Sequence, residues 1–146
     1  MSIKTFRGLL ESGAQERIRL ETLDGKTGYR IKKFELIARK PGTTDYEHIV
    51  KLFSIKQTVI DEEINFSEMT LLAAGFTEGG AATNFIGNPL SVIFDSVTFN
   101  QDIFVTQFDS KSALPCNYYL ELEQIRLDDV EATAVILKNF RNTNTV

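Results

Sequence analysis

Three aspartates recur at a spacing of seven, Asp95, Asp102 and Asp109. Carboxylates can do general acid–base work or open a glycosidic bond, provided two of them face each other across a cleft. Here each falls at the end of an apolar run, where aspartate commonly accepts hydrogen bonds from nearby backbone. Asp61-Glu62-Glu63 is a denser acidic cluster. It lacks the glycine and the alternating oxygen ligands of a calcium loop and reads as a solvated acidic loop. Glu121 and Glu123 alternate with Leu120 and Leu122, so they belong to a charged sheet face.

His48 is the single histidine and Cys116 the single cysteine. One histidine cannot build a histidine-rich metal site, and His48 reads as an ordinary hydrogen-bonded strand residue. One cysteine cannot close an intramolecular disulfide, and Cys116 reads as a small packed side chain rather than a nucleophile. Gly79-Gly80 is followed by no Gly-Lys-Ser/Thr, so it is not a phosphate loop, and no serine occupies a nucleophile elbow. Arg30, Lys32, Lys33, Arg39 and Lys40 form a basic strip with Tyr29 and Phe34 interleaved. A single-strand nucleic-acid platform uses such a mixture, but both aromatics are needed for the core and the chain is acidic overall. No catalytic, cofactor-binding or metal residue is expected, and neither a cofactor nor a direct nucleic-acid partner.

The elements that carry these residues are strands. From Leu90 to Leu127 the chain is dense in β-branched and aromatic residues, broken by short polar turns. Residues 2–11 form a first strand or an arm (1–12 at its widest). Arg17 to Glu21 alternates strictly, with Ile18 and Leu20 inward, and Asp24-Gly25 follows as a hairpin turn. In the strand from Gly28 to Arg39, Tyr29 and Ile31 share one parity while Phe34, Leu36 and Ala38 take the other. Both sets reach the core only if an extra residue is inserted, which predicts a β-bulge at Lys32-Lys33. Glu47 to Lys56 loads both faces with apolar residues, as a strand between two layers or under a partner would.

Residues 58–70 read as an acidic loop, 70–76 as a strand, and Glu78 to Thr83 as a small-residue loop tip. Leu90–Phe94, Ile103–Phe108 and Asn117–Leu127 read as strands. In the last of these, Tyr118, Leu120 and Leu122 face the core, and Tyr119, Glu121 and Glu123 face solvent. Asp128 and Glu131 have the spacing of a capping box. Val130, Thr133, Ala134, Leu137 and Phe140 then recur at helical spacing, with Lys138 and Arg141 in the last turn. That predicts an amphipathic helix over 129–141 packed on the sheet, and a frayed tail over 142–146. The fold class is mainly β, an antiparallel β-sandwich of jelly-roll type with one short C-terminal helix.

A chain of 146 residues, 42% hydrophobic and 25% charged, is one globular domain, 1–146, able to bury a core without staples. No apolar run approaches the roughly 18 residues of a membrane span. The first residues lack a signal peptide's apolar stretch, so synthesis in a cytoplasm and no membrane partner are expected. The net charge of −4 is uneven. Residues 1–56 hold 12 Lys/Arg against 7 Asp/Glu, and residues 57–146 hold 4 against 13. Either strands from the two halves interleave in space, or the molecule has a basic and an acidic side that favour docking and self-association.

Asn100–Gln107 (NQDIFVTQ), Asn117–Leu127 (NYYLELEQIRL) and Glu131–Asn142 (EATAVILKNFRN), with the opening MSIKTFRGLL and the stretch FSEMTLLAAG, resemble small virion proteins of marine tailed bacteriophages. These are packing motifs, so the resemblance carries over no site residues. It implies a non-enzymatic virion structural protein, made in the host cytoplasm: a capsid decoration, or cement, protein that docks on the major capsid protein or other virion proteins. It also implies self-association as a homo-oligomer, with a trimer as the expected order. The rival expectation is a tail, fibre or baseplate component recognising host glycan, for which Tyr46 is the best aromatic platform. A cupin-like enzyme is a third class, weakened by the single histidine.

Overall fold

The computed structural model of the chain describes residues 2–42, 45–80 and 90–145, with side chains to residue 138. Eight strands and one helix follow in order: β1 (Ser2–Leu10), β2 (Gln15–Ile18), β3 (Thr27–Ala38), β4 (Tyr46–Phe53), β5 (Leu71–Gly79), β6 (Leu90–Phe94), β7 (Ile103–Asp109), β8 (Cys116–Arg126) and α1 (Asp129–Thr145). They form two antiparallel sheets, β1-β8-β3 and β2-β7-β4-β5-β6. Read pairwise, β1, β8 and β3 in one sheet match their sequence neighbours β2, β7 and β4 in the other. This is the winding of a jelly roll. The sixth strand joins the larger sheet beside β5 instead of extending the smaller one beyond β3.

The inner faces meet in one core. β3 and β8 contribute Ile31, Phe34, Leu36, Tyr118, Leu120 and Leu122, and β4 and β7 answer with Val50, Leu52, Ile103 and Val105. The two parities of β3 are reconciled as the sequence requires. The register with β8 shifts between Ile31 and Lys33, so Lys32 is the bulged residue. Tyr29 and Ile31 on one side of it, and Phe34, Leu36 and Ala38 on the other, are all buried.

Both faces of β4 are buried as well. Val50 and Leu52 face the core, while Ile49, Lys51 and Phe53 take the opposite face, where Lys51 meets the chain's own residues Asp61 and Glu63. Lys51 Nζ donates to the Glu63 carbonyl at 2.6 Å, and the Gln57 N–H donates to Gln15 Oε1 at 2.8 Å. The charge question also resolves in the topology. Acidic β8 runs between basic β1 and β3, so the two halves of the sequence interleave.

Three expectations need correction. Asp24-Gly25 does turn, with Gly25 at φ 67°, but it closes no hairpin. β2 pairs with β7 and β3 with β8, so the turn carries the chain from one sheet to the other. Glu123, expected in solvent, is buried because β8 is the central strand and Lys32 leans over it at 3.5 Å.

The helix is the third. Its capping box forms: Glu131 N–H donates to Asp128 Oδ1 at 2.8 Å, and Asp128 N–H to Glu131 Oε1 at 3.3 Å. It runs through Thr145, however, so residues 142–145 are helical and Lys138 and Arg141 precede the last turn. The expected apolar stripe faces out, with Val130 79% and Leu137 57% exposed, and Thr133 and Ala134 exposed too. Among the described helix side chains Ala132 is the buried one, and Ile136 leans towards Gly25. The sheets already cover each other, so the helix docks by one edge against the 24–26 turn, held by Lys26–Asp129 at 2.9 Å. The side chain of Phe140 and the loop-tip residues Ala81 to Thr83 lie outside the described residues, while Glu78 and Gly79, expected in that loop tip, are the end of β5 and pair with Glu47 and Tyr46.

Candidate functional site

The aspartates with sevenfold spacing do not converge. Asp102 and Asp109 bracket β7 and are separated by about 23 Å of extended strand. Asp102 accepts from the Leu20 and Glu21 N–H groups at 2.7 and 2.9 Å and from Arg17 Nε at 2.7 Å. These are remote backbone partners, not the local ones expected. Burial pushes its pKa up, but the two N–H donors and the Arg17 guanidinium outweigh it and hold the carboxyl below its ordinary range. Asp102 thus pins the chain where it leaves β2. Asp95 follows β6, and its N–H donates to the Leu72 carbonyl.

Asp109 is the hub of a second buried knot. Its Oδ1 accepts from the N–H groups of Glu47, Lys111 and Ser112, and its Oδ2 from that of Leu114. Against the opposing push of burial, these donors hold it below the carboxylate range. His48 Nδ1 lies 3.9 Å from Asp109 Oδ2 and 3.4 Å from Gln107 Oε1, and burial lowers the His48 pKa. Gln107 Nε2 donates to the carbonyls of Leu10 and Leu114. His48 is therefore the hydrogen-bonded strand residue expected from the sequence. The void beside it, about 20 Å³, has room for about one water and none for a substrate. Cys116 is fully buried, and burial pushes its thiol up to about 12, which leaves no thiolate to attack anything.

Several of the remaining candidates are engaged by neighbours, whereas Arg30 Nε is buried without a hydrogen-bond partner. Lys51 Nζ reaches Asp61 at 3.5 Å, so the acidic run meets a nearly buried cation that the sequence reading did not single out. A lysine in the middle of a doubly apolar strand, ten residues before three carboxylates, was the signal for it. In the basic strip, Tyr29 and Phe34 are core residues as expected, Lys32 pairs with Glu123, and Lys33 sits over the Tyr119 ring at 5.9 Å. Tyr119 donates to Glu121 at 2.8 Å. Among the described residues no group of three or more His, Cys, Asp or Glu could hold a metal ion. Tyr46, expected as an exposed platform, is 2% exposed and stacked on His48 with centroids 4.8 Å apart. Strand alternation in β4 turns it inward with His48 and Val50.

What the molecule does present is surface. A groove of about 740 Å³ at one end of the sandwich is walled by Phe66, Met69, Ile93, Phe94, Phe99 and Val135. Phe66, Met69 and Ile93 are each more than half exposed. The sequence signal for Phe66 and Met69 was large apolar residues inside an otherwise acidic loop. The second surface is β1, outermost in the smaller sheet, with most of its residues exposed and Ile3 and Leu9 apolar among them. Compared with known proteins, the chain matches no family model, no curated protein and no solved structure.

Proposed function

We propose that the chain is a non-enzymatic structural component of a bacteriophage particle, a capsid decoration protein that docks on the head shell and associates with copies of itself. One observation carries the reading beyond the sequence resemblance. The side chains with chemical potential that the sequence singled out, His48, Cys116, Asp102 and Asp109, are tied into the fold, and so is Lys51, which it did not. Large apolar side chains stand in the open instead. A catalyst keeps reactive groups accessible in a cleft. A lattice-binding module needs a rigid scaffold and adhesive faces, and soluble monomers rarely leave large apolar patches uncovered. The interleaved charge leaves docking to these apolar faces rather than to a basic or an acidic side. The glycan-binding alternative loses Tyr46, the residue on which it rested.

The reading is tested by mixing the purified protein with head shells stripped of accessory proteins and pelleting the shells. Saturable co-sedimentation at a fixed stoichiometry per capsid subunit is expected, weakened by Phe66→Ser and Met69→Ser. No binding to shells, with turnover of a small substrate instead, would overturn it.

A further inference from the structure

The two edges of the smaller sheet differ. β3 is interrupted by the bulge at Lys32 and bridged by Phe99, whose N–H and carbonyl exchange hydrogen bonds with Tyr29 at 3.0 and 2.7 Å. Both are devices that keep a sheet edge from pairing. β1 pairs in unbroken register with β8 over nine residues, Ser2 to Leu10, and its other edge meets no strand among the described residues. It holds no proline. Its protective features are two charges, Arg7 on the outer face and Lys4, which shares the inner face with Phe6 and Gly8, and an inward-facing lysine on an edge normally discourages pairing.

We propose that β1 pairs antiparallel with the β1 of a second copy about a two-fold axis at Phe6, making one six-stranded sheet from two molecules. This rests on the self-association proposed above and names its surface. Opposed residues in an antiparallel pair share a face, so only registers that match parity are allowed. The register centred on Phe6 uses all nine residues and sets Ile3 against the partner copy's Leu9, two exposed apolar side chains on the outer face. On the inner face it sets Lys4 against the other copy's Gly8. A Cβ on Gly8 would lie 3.1 Å from Glu16 Oε2, so the space beside Gly8 is bordered by a carboxylate. Cross-strand Cβ positions are about 5 Å apart, within a lysine's reach. Glu16 is held in place by the Tyr118 hydroxyl, which donates to Oε2 at 2.8 Å. The lysine that discourages pairing with other strands thus finds its counter-charge in this one, twice per pair. The contact is isologous and closes at two, so it builds a dimer in place of the trimer first expected.

Sedimentation equilibrium of the purified full chain tests the pairing, with circular dichroism confirming that each variant is folded. A dimer is expected for the unaltered protein. Lys4→Glu and Glu16→Lys should each weaken it at least tenfold, and the double exchange should restore it. Ile3→Asp, on the exposed outer face, gives a second, charge-independent disruption. An oligomer indifferent to all these changes overturns the β1 edge while leaving self-association standing. Single changes that weaken the dimer without rescue by the exchange overturn the register. A strict monomer at high concentration overturns both the pairing and the self-association on which it rests.

Discussion

Gly75 on β5 and Leu36 on β3 touch across the core so closely that a Cβ added to Gly75 would lie 2.3 Å from Leu36 Cδ2. The glycine is there for space, not for backbone freedom, since its φ is not in the left-handed region. The larger sheet approaches the smaller one at this point because one side chain is missing. Gly75→Ala should therefore destabilise the fold by about 1–3 kcal/mol through overpacking. Leu36→Val in the same chain should recover part of that loss. Urea unfolding of the single and double variants measures both.

Stability should fall in two steps on acidification. His48 is held neutral by burial, so its folded pKa lies below the ordinary 6.5, and the unfolded chain binds the extra proton first. That contribution is complete above about pH 6.5 and declines as the pH falls towards the lowered folded value. Asp102 and Asp109 are also depressed, and their contribution is present above the ordinary 3.8 and lost below it. A His48→Gln variant should lose the upper step and keep the lower one. Chemical denaturation across pH 3–8 reads both steps, taking that span from the ordinary carboxylate and imidazole ranges.

Removing the Asp102 carboxylate should loosen the exit from β2. Asp102→Ala leaves the Leu20 and Glu21 N–H groups without their acceptor and strips Arg17 of its partner. A loss of about 2–4 kcal/mol is expected from stranding buried donors. Hydrogen exchange should rise at Leu20 and Glu21 before it rises in β8.

Cys116 should resist thiol reagents in the folded protein. It is fully buried and its thiol is held protonated well beyond neutral pH. Ellman's reagent should register no fast thiol in buffer and one per chain in guanidinium. A fast-reacting thiol in the native state would contradict the packing at the Leu10–Cys116 end of β1 and β8.

Much of this architecture was legible because it is local. The parity conflict between Ile31 and Phe34 demanded a bulge, and the bulge is at Lys32. The spacing of Asp128 and Glu131 gave a capping box, and both of its hydrogen bonds form. What was not legible depends on which surfaces meet. The helical stripe of Val130, Ala134 and Leu137 is real as a pattern, but the face it was meant to cover was already taken by the other sheet. Asp24-Gly25 signals a turn without saying to which sheet the chain goes next. Tyr46 could be taken as exposed only because the inward parity of β4 is set by Val50 and Leu52, and a strand buried on both faces hides that choice.

The most direct test of the account is cryo-electron microscopy of the phage particle proposed to carry this chain. The account predicts density for paired β-sandwiches on the outside of the head shell, with the Phe66–Ile93 groove against the capsid protein and two β1 strands meeting at a local two-fold. Particles complete without this chain, or density for it only away from the shell, would contradict the account.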